Sequence, residues 1–156
     1  MSFYRNSEGY RDPTAGRALG NIVREERQPR KEAEKDYRPL VYICSPFAGD
    51  TTANVIAARN YCAFAVERSN IPLAPHLLYP QFMDDTNPKE RDLALRFGMI
   101  LMDRCDEIWI FGNRLSSGMR AEYDRALRKG YHIRYFTADC MELTGEGASQ
   151  LYRKEL

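Results

Sequence analysis

From Leu40 onward, apolar residues fall into short unbroken runs separated by longer stretches with helical spacing. Leu40-Val41-Tyr42-Ile43-Cys44 is continuous and rich in β-formers, the pattern of a strand buried on both faces. Residues 45–50 read as a loop, and residues 51–69 as a helix with Ala53, Ile56, Ala57, Ala63 and Phe64 on one side. Residues 71–74 read as a second, short strand ending at Pro75-His76, followed by an irregular stretch over residues 77–87. Pro88 opens a helix whose stripe is Leu93, Phe97, Ile100 and Leu101. Residues 107–111 form a third strand, 113–117 a loop, and 118–129 a helix with Gly130 as its stop. Residues 132–136 form a fourth strand, and the last twenty residues are polar with a weak helical signal.

Strands alternating with helices of this length imply right-handed crossovers and a parallel sheet covered on both sides. The expected fold is therefore α/β: a small, doubly wound, Rossmann-like (flavodoxin-like) parallel sheet of four to five strands with helices on both faces. The segment before it differs in composition. Asp12 and Pro13 mark a helix start ahead of Ala15, Leu19, Ile22 and Val23, and residues 24–38 alternate charges with almost no apolar content. This predicts an N-terminal extension, residues 1–38, with a short amphipathic helix and a charged linker, and an α/β domain over residues 39–156. A helix that short needs a docking surface to persist.

Charge narrows the class. Lys and Arg total 23 against 22 Asp and Glu, a formal net charge of +1 that lacks the cation surplus a nucleic-acid polymer binder uses. No run approaches the ~18 apolar residues that span a bilayer, and the first residues lack the apolar core of a signal peptide. The expectation is a cytoplasmic protein with no membrane partner. Cys44, Cys62, Cys105 and Cys140 are widely spaced, without a CxxC pair or a Cys/His cluster, so no metal or other cofactor is expected.

In an open parallel sheet, ligands bind beyond the carboxyl ends of the strands. That rule collects Ser45, Phe47 and Asp50 after the first strand, His76 and Tyr79 after the second, and Asn113, Ser116, Ser117, Gly118 and Glu122 after the third. A Ser-Ser-Gly loop entering a helix offers backbone N–H groups and hydroxyls to an anion, reinforced by the helix dipole. The same dipole favours an ionised Glu122, read as lying in the first turn. An ionised carboxylate beside such a cradle suits attack on, or stabilisation of, a cationic sugar carbon. The structural alternative is that Ser117 caps the helix and Glu122 satisfies the dipole or pairs with Arg125. Asp50 is an N-cap or a ribose contact. His76 is a crevice residue or a backbone-bonded loop residue. Asp84-Asp85 is a carboxylate pair or simple turn chemistry, and Trp109 is core packing.

The order VYICSPFAGD, IPLAPHLLYPQFMDD, CDEIWIFG and SSGMRAE, over about residues 40–136, resembles the nucleoside 2-deoxyribosyltransferase-like superfamily, within it a bacterial and phage branch of unknown function. The resemblance implies an enzyme acting on the N-glycosidic bond of a small nucleoside or nucleotide, as a hydrolase or a deoxyribosyltransferase, without a cofactor. By motif position Glu122 is the nucleophile, and Tyr42 holds both it and the sugar. Ser45, Pro46 and Phe47 touch the nucleobase. Ser117, in the Ser116-Ser117-Gly118-Met119 segment, meets a 5′-phosphate. The resemblance further implies a homo-oligomer, dimeric or larger. One position departs from it. Counting back two helical turns from Asp106, where active enzymes carry an aspartate assisting the leaving base, reaches Gly98. Asp84, Asp85, Asp92 and His76 are the available substitutes. The departure also admits a non-catalytic nucleotide-binding protein, a sensor or sequestering module, on the same fold.

Overall fold

A computed structural model of the chain describes residues 36–144 and Ala148. Apart from Asp36 and Tyr37, these belong to one unit, Arg38–Leu156. The expected N-terminal extension over residues 1–38, with its helix start at Asp12 and Pro13, lies almost wholly outside the described residues.

Four parallel strands, β1 (Leu40–Cys44), β2 (Ile71–Leu73), β3 (Glu107–Phe111) and β4 (Ile133–Phe136), are joined at one edge by a two-residue antiparallel strand, β5 (Glu142–Leu143). Their spatial order is β2-β1-β3-β4-β5, so the chain reverses direction of winding after β2, beside β1. This is the doubly wound α/β fold that the alternation of runs predicts. The central strands β1 and β3 pair Val41 with Glu107 through Cys44 with Ile110. Apart from Glu107 at the start of β3, both are continuously apolar because both faces are covered. The short β5 lies in a stretch whose composition carries no strand signal.

Alternation along the strands sorts the core into two layers. Val41, Ile43, Trp109, Phe111 and Phe136 face one side, against helix α1 (Thr51–Glu67). There Tyr61 stacks on Phe111 with ring centroids 4.1 Å apart. Tyr42, Cys44, Ile108 and Ile110 face the other side, where Met102 of α3 (Pro88–Met102) and Met119, Tyr123 and Ala126 of α4 (Ser117–Lys129) cover them. Between β2 and α3 the stretch expected to be irregular holds a four-residue helix, α2 (Pro75–Leu78), and a 3₁₀ turn at Tyr79–Gln81. Pro75 starts α2 as its first helical residue, where its missing N–H costs nothing. Trp109 is core, as expected, and its indole N–H donates to Glu107 at 2.6 Å.

Two helix faces differ from the sequence expectation. In α1 the buried residues are Ala58, Tyr61 and Ala65, while Ala53, Ile56 and Ala63 of the predicted stripe are exposed. This helix is apolar around much of its circumference, so periodicity does not select a face. In α3, Leu93 and Ile100 are exposed and Gly98 and Met102 are buried. The helix comes in on its smallest residue, a geometry that hydrophobicity cannot signal. The N-cap of α4 is Ser116, whose Oγ accepts from the Met119 N–H at 3.3 Å, and not Ser117. Gly130 ends α4 with φ 67°, the left-handed conformation that glycine adopts without strain.

Asp103, the C-cap residue of α3, fastens that helix to α4. Its carboxylate accepts from Arg125 at 3.0 and 2.6 Å, from Lys129 at 2.7 Å and from the Tyr131 hydroxyl at 2.7 Å. The Arg125 guanidinium first, then the Lys129 ammonium, hold this carboxyl well below the usual carboxylate range. Such a group stabilises the fold above its unfolded-state pKa, and the stabilisation is lost as pH falls toward the depressed folded value. Asp103→Ala is expected to cost about 1–2 kcal/mol at neutral pH. Thermal melts of the two proteins should converge as pH is lowered stepwise below about 4.

Candidate functional site

The cleft lies where the topology predicts it, beyond the carboxyl ends of β1, β2 and β3. Because Tyr42 and Cys44 are two residues apart on β1, both side chains project to the α4 side of the sheet. Glu122 meets them there. It lies one helical turn after Met119 and beside Tyr123 and Ala126, on the inward face of α4, where a purely structural helix would carry an apolar residue. The Tyr42 hydroxyl donates to Glu122 Oε1 at 2.6 Å and the Cys44 thiol donates to Oε2 at 3.1 Å. Glu122 also lines the cleft, so its carboxyl is surrounded by protein yet borders the open space.

Burial sets the protonation of this cluster. Desolvation pushes the Glu122 carboxyl above the usual glutamate range, opposed by the hydrogen bonds from Tyr42 and Cys44. Burial and the adjacent carboxylate push the Tyr42 phenol and the Cys44 thiol up as well, so both remain donors at neutral pH. The dipole argument from sequence is corrected on both counts. Glu122 is in the second turn of α4, and no acidic residue occupies the first. Its pKa is raised and not lowered. Arg125, the alternative partner, is committed to Asp103.

Ser45, at the end of β1, is buried and its Oγ lies 2.9 Å from His76 Nε2. Desolvation lowers the His76 pKa to about 4, so the imidazole is neutral at physiological pH. The Phe47 ring meets that imidazole edge-on, with centroids 6.4 Å apart. Across the cleft, the N-terminus of α4 presents the Ser117 and Gly118 N–H groups, which lie ahead of the first intrahelical bonds. Arg91 of α3 shares this lining.

Of the residues expected in the crevice, Tyr42, Ser45, Phe47, His76, Tyr79, Ser116, Ser117, Gly118, Met119 and Glu122 line it. Pro46, Asp50 and Asn113 do not. Asp50 is exposed and accepts from the Ala53 N–H at 3.1 Å as the N-cap of α1. Asn113 is exposed in the loop after β3. Among the substitutes for the acid, Asp92 is exposed and paired with Arg96 at 2.7 Å. Asp84 Oδ1 accepts from the Thr86 N–H and hydroxyl, so turn chemistry accounts for it. Asp84, Asp85 and His76 all line the cleft. Gly98 itself faces it, and a Cβ built there would lie 3.0 Å from the Tyr42 hydroxyl oxygen and 3.7 Å from Pro75. The glycine makes room for the phenol that holds Glu122.

A family model described as a domain of unknown function, DUF7768, matches residues 39–136. The chain belongs to that family. The matched span of this DUF7768 protein runs from the residue before β1 to the end of β4 and contains the whole cleft lining. No curated protein is similar to it. Among solved structures, it is similar to a 2-deoxyribosyltransferase from the psychrotolerant bacterium Bacillus psychrosaccharolyticus, with a TM-score of 0.53 and 13% identity over 72% of this chain and 82% of that one. A second similar structure is a 2-deoxyribosyltransferase from Leishmania mexicana, with a TM-score of 0.43 and 17% identity over 70% and 81% of the two chains. At such identities the likeness is one of fold.

Two features of the DUF7768 site, Cys44 and Arg91, are not read from sequence. Cys44 passed as strand filling, although its two-residue spacing from Tyr42 places it on the same face. Arg91 sits in a helix whose orientation the apolar stripe misassigned. Asn54 donates its side-chain amide to the Phe47 and Ala48 carbonyls at 3.1 and 3.0 Å, fixing the loop after β1. Among the described residues, no cluster of three or more His, Cys, Asp or Glu could hold a metal ion, and no helix is long and apolar enough to cross a membrane.

The Gly98 contact gives a stability test. Gly98→Ala sets a helix-interior gain of about 0.5–1 kcal/mol against crowding of a phenol that its 2.6 Å bond to Glu122 keeps from retreating, and a net loss is expected in denaturant unfolding. In a Tyr42→Phe background the same change should cost clearly less, because the atom it strikes is gone.

Proposed function

We propose that the protein cleaves the N-glycosidic bond of a nucleoside or nucleotide, with Glu122 as nucleophile or electrostatic stabiliser of the sugar cation. One observation carries this reading: a carboxyl group on the inward face of a helix, bordering the cleft and held on both oxygens by Tyr42 and Cys44. A buried carboxylate is costly, and here its two donors orient it without neutralising it. Tyr42 acts as its positioner. The fold shared with 2-deoxyribosyltransferases is consistent with nucleoside chemistry.

The remaining residues divide between the two ends of such a substrate. Ser45, Phe47 and His76 form one wall, polar with an aromatic edge, suited to a base. Ser117 and the Gly118 N–H suit a sugar hydroxyl or a 5′-phosphate, and Arg91 lines the same cleft. Attack by a Glu122 oxygen on C1′ forms a glycosyl ester as the C1′–N bond breaks. Water or a second base then takes the sugar and frees the carboxylate. Water as acceptor gives hydrolysis, and a second base gives transfer.

A second reading has one observation in its favour. Gly98 supplies no acid to the leaving base, and leaving-group protonation is worth about 10²–10⁴ in rate. A protein that binds nucleotides without turning them over would also use this cleft.

Incubation with a panel of nucleosides and 5′-nucleotides, followed by chromatography for free base, decides between them. Release is expected, falling at least about 100-fold in Glu122→Gln. Its rate should rise with pH through an apparent pKa above the ordinary glutamate value of about 4.3, because the reactive form is the ionised one and burial raises the pKa. Release that survives Glu122→Gln unchanged refutes the assignment. Tight nucleotide binding with no release establishes the binding protein instead.

A further inference from the structure

Cleavage of an N-glycosidic bond leaves the bond's electron pair on the base nitrogen. An ordinary purine or pyrimidine then departs as an anion unless an acid protonates it. Among the described residues lining the cleft, each carboxyl group and the imidazole are otherwise engaged. Gly98 has no side chain, and a Cβ there would come within 3.0 Å of the Tyr42 hydroxyl oxygen. The Tyr42 and Cys44 protons are both given to Glu122. His76 is a neutral imidazole at physiological pH, with Nε2 2.9 Å from the Ser45 Oγ. Asp84 is held ionised by Thr86, and Asp85 lies 3.9 Å from the Arg91 guanidinium. Glu90 accepts from the Asp84 N–H at 2.7 Å.

Charge supplies an independent observation. Among the described residues, Asp84, Asp85, Glu90 and Glu122 line the cleft against one cationic side chain, Arg91. The aromatic side chains of Phe47 and Tyr79 border the same space. An anionic, partly aromatic cleft attracts a flat cation. A cation beside Glu122 also favours its ionised, reactive form.

We infer that the preferred substrates are nucleosides whose base already carries a positive charge on a quaternised ring, a pyridinium or an N-alkylated purine. This deepens the N-glycosidic reading above and rests on it. The balance then closes without an acid. A Glu122 oxygen bonds to C1′, the C1′–N pair returns to the ring, and the base leaves neutral with no proton transferred. Water subsequently releases the sugar and one proton.

The experiment measures free base at neutral pH from nicotinamide riboside and 7-methylguanosine, against guanosine, adenosine and uridine. Each is offered with ribose, with 2′-deoxyribose and as the 5′-monophosphate, with uncatalysed release subtracted. Release from the cationic members should exceed that from guanosine by more than 100-fold and vanish in Glu122→Gln. A ratio below 100-fold overturns the cationic preference while leaving N-glycosidic cleavage in place. No release from any member overturns both.

Discussion

A carboxyl group taken out of water and kept usable is the constraint on which this site depends. Glu122 occupies a position where α4 would otherwise present an apolar side chain to the sheet. It is accommodated because β1 delivers two donors to the same face, one per oxygen. The strand's period of two and the helix's turn of 3.6 residues thus converge on one group. Neither element alone would produce the arrangement. The parallel pairing of β1 with β3, and the crossover that carries the chain from β3 into α4, set their distance.

The same constraint explains a feature that looks like a loss. A side chain at position 98 would compete with the Tyr42 phenol for space, as the 3.0 Å approach of a built Cβ indicates. The close approach of α3 and the orientation of the phenol are therefore one solution, and an acid at 98 belongs to a different one. Position 98 therefore contributes space to the cleft, and Asp84, Asp85 and Glu90 bring carboxylate-bearing residues to its lining.

Much of this was legible in the chain. β1 and β3 stand where the short apolar runs placed them, because a strand covered on both faces is apolar along its buried length. The topological rule for parallel sheets gathered Ser45, His76, Ser117 and Glu122 without coordinates. Helix orientation was not legible. α1 and α3 carry apolar residues on more than one face, and α3 is oriented by a glycine contact with a residue more than fifty positions away. Asp50 and Asn113 follow strand ends as ligand-binding residues do, yet one caps a helix and the other meets solvent. Position after a strand selects a neighbourhood, while the direction of each side chain depends on the turn that carries it. The ionisation of Glu122 was misjudged for a related reason: the helix dipole is visible in sequence, and desolvation is not.

The Asn54 amide clasps the carbonyls of Phe47 and Ala48 from within α1, a helix that otherwise serves the opposite layer of the sheet. The aromatic wall of the cleft is thus anchored from behind, through the helix that stacks Tyr61 on Phe111. Repacking that rear layer would reposition the Phe47 ring without altering any residue bordering the cavity. Substitutions remote from the chemistry therefore have a mechanical route to ligand preference.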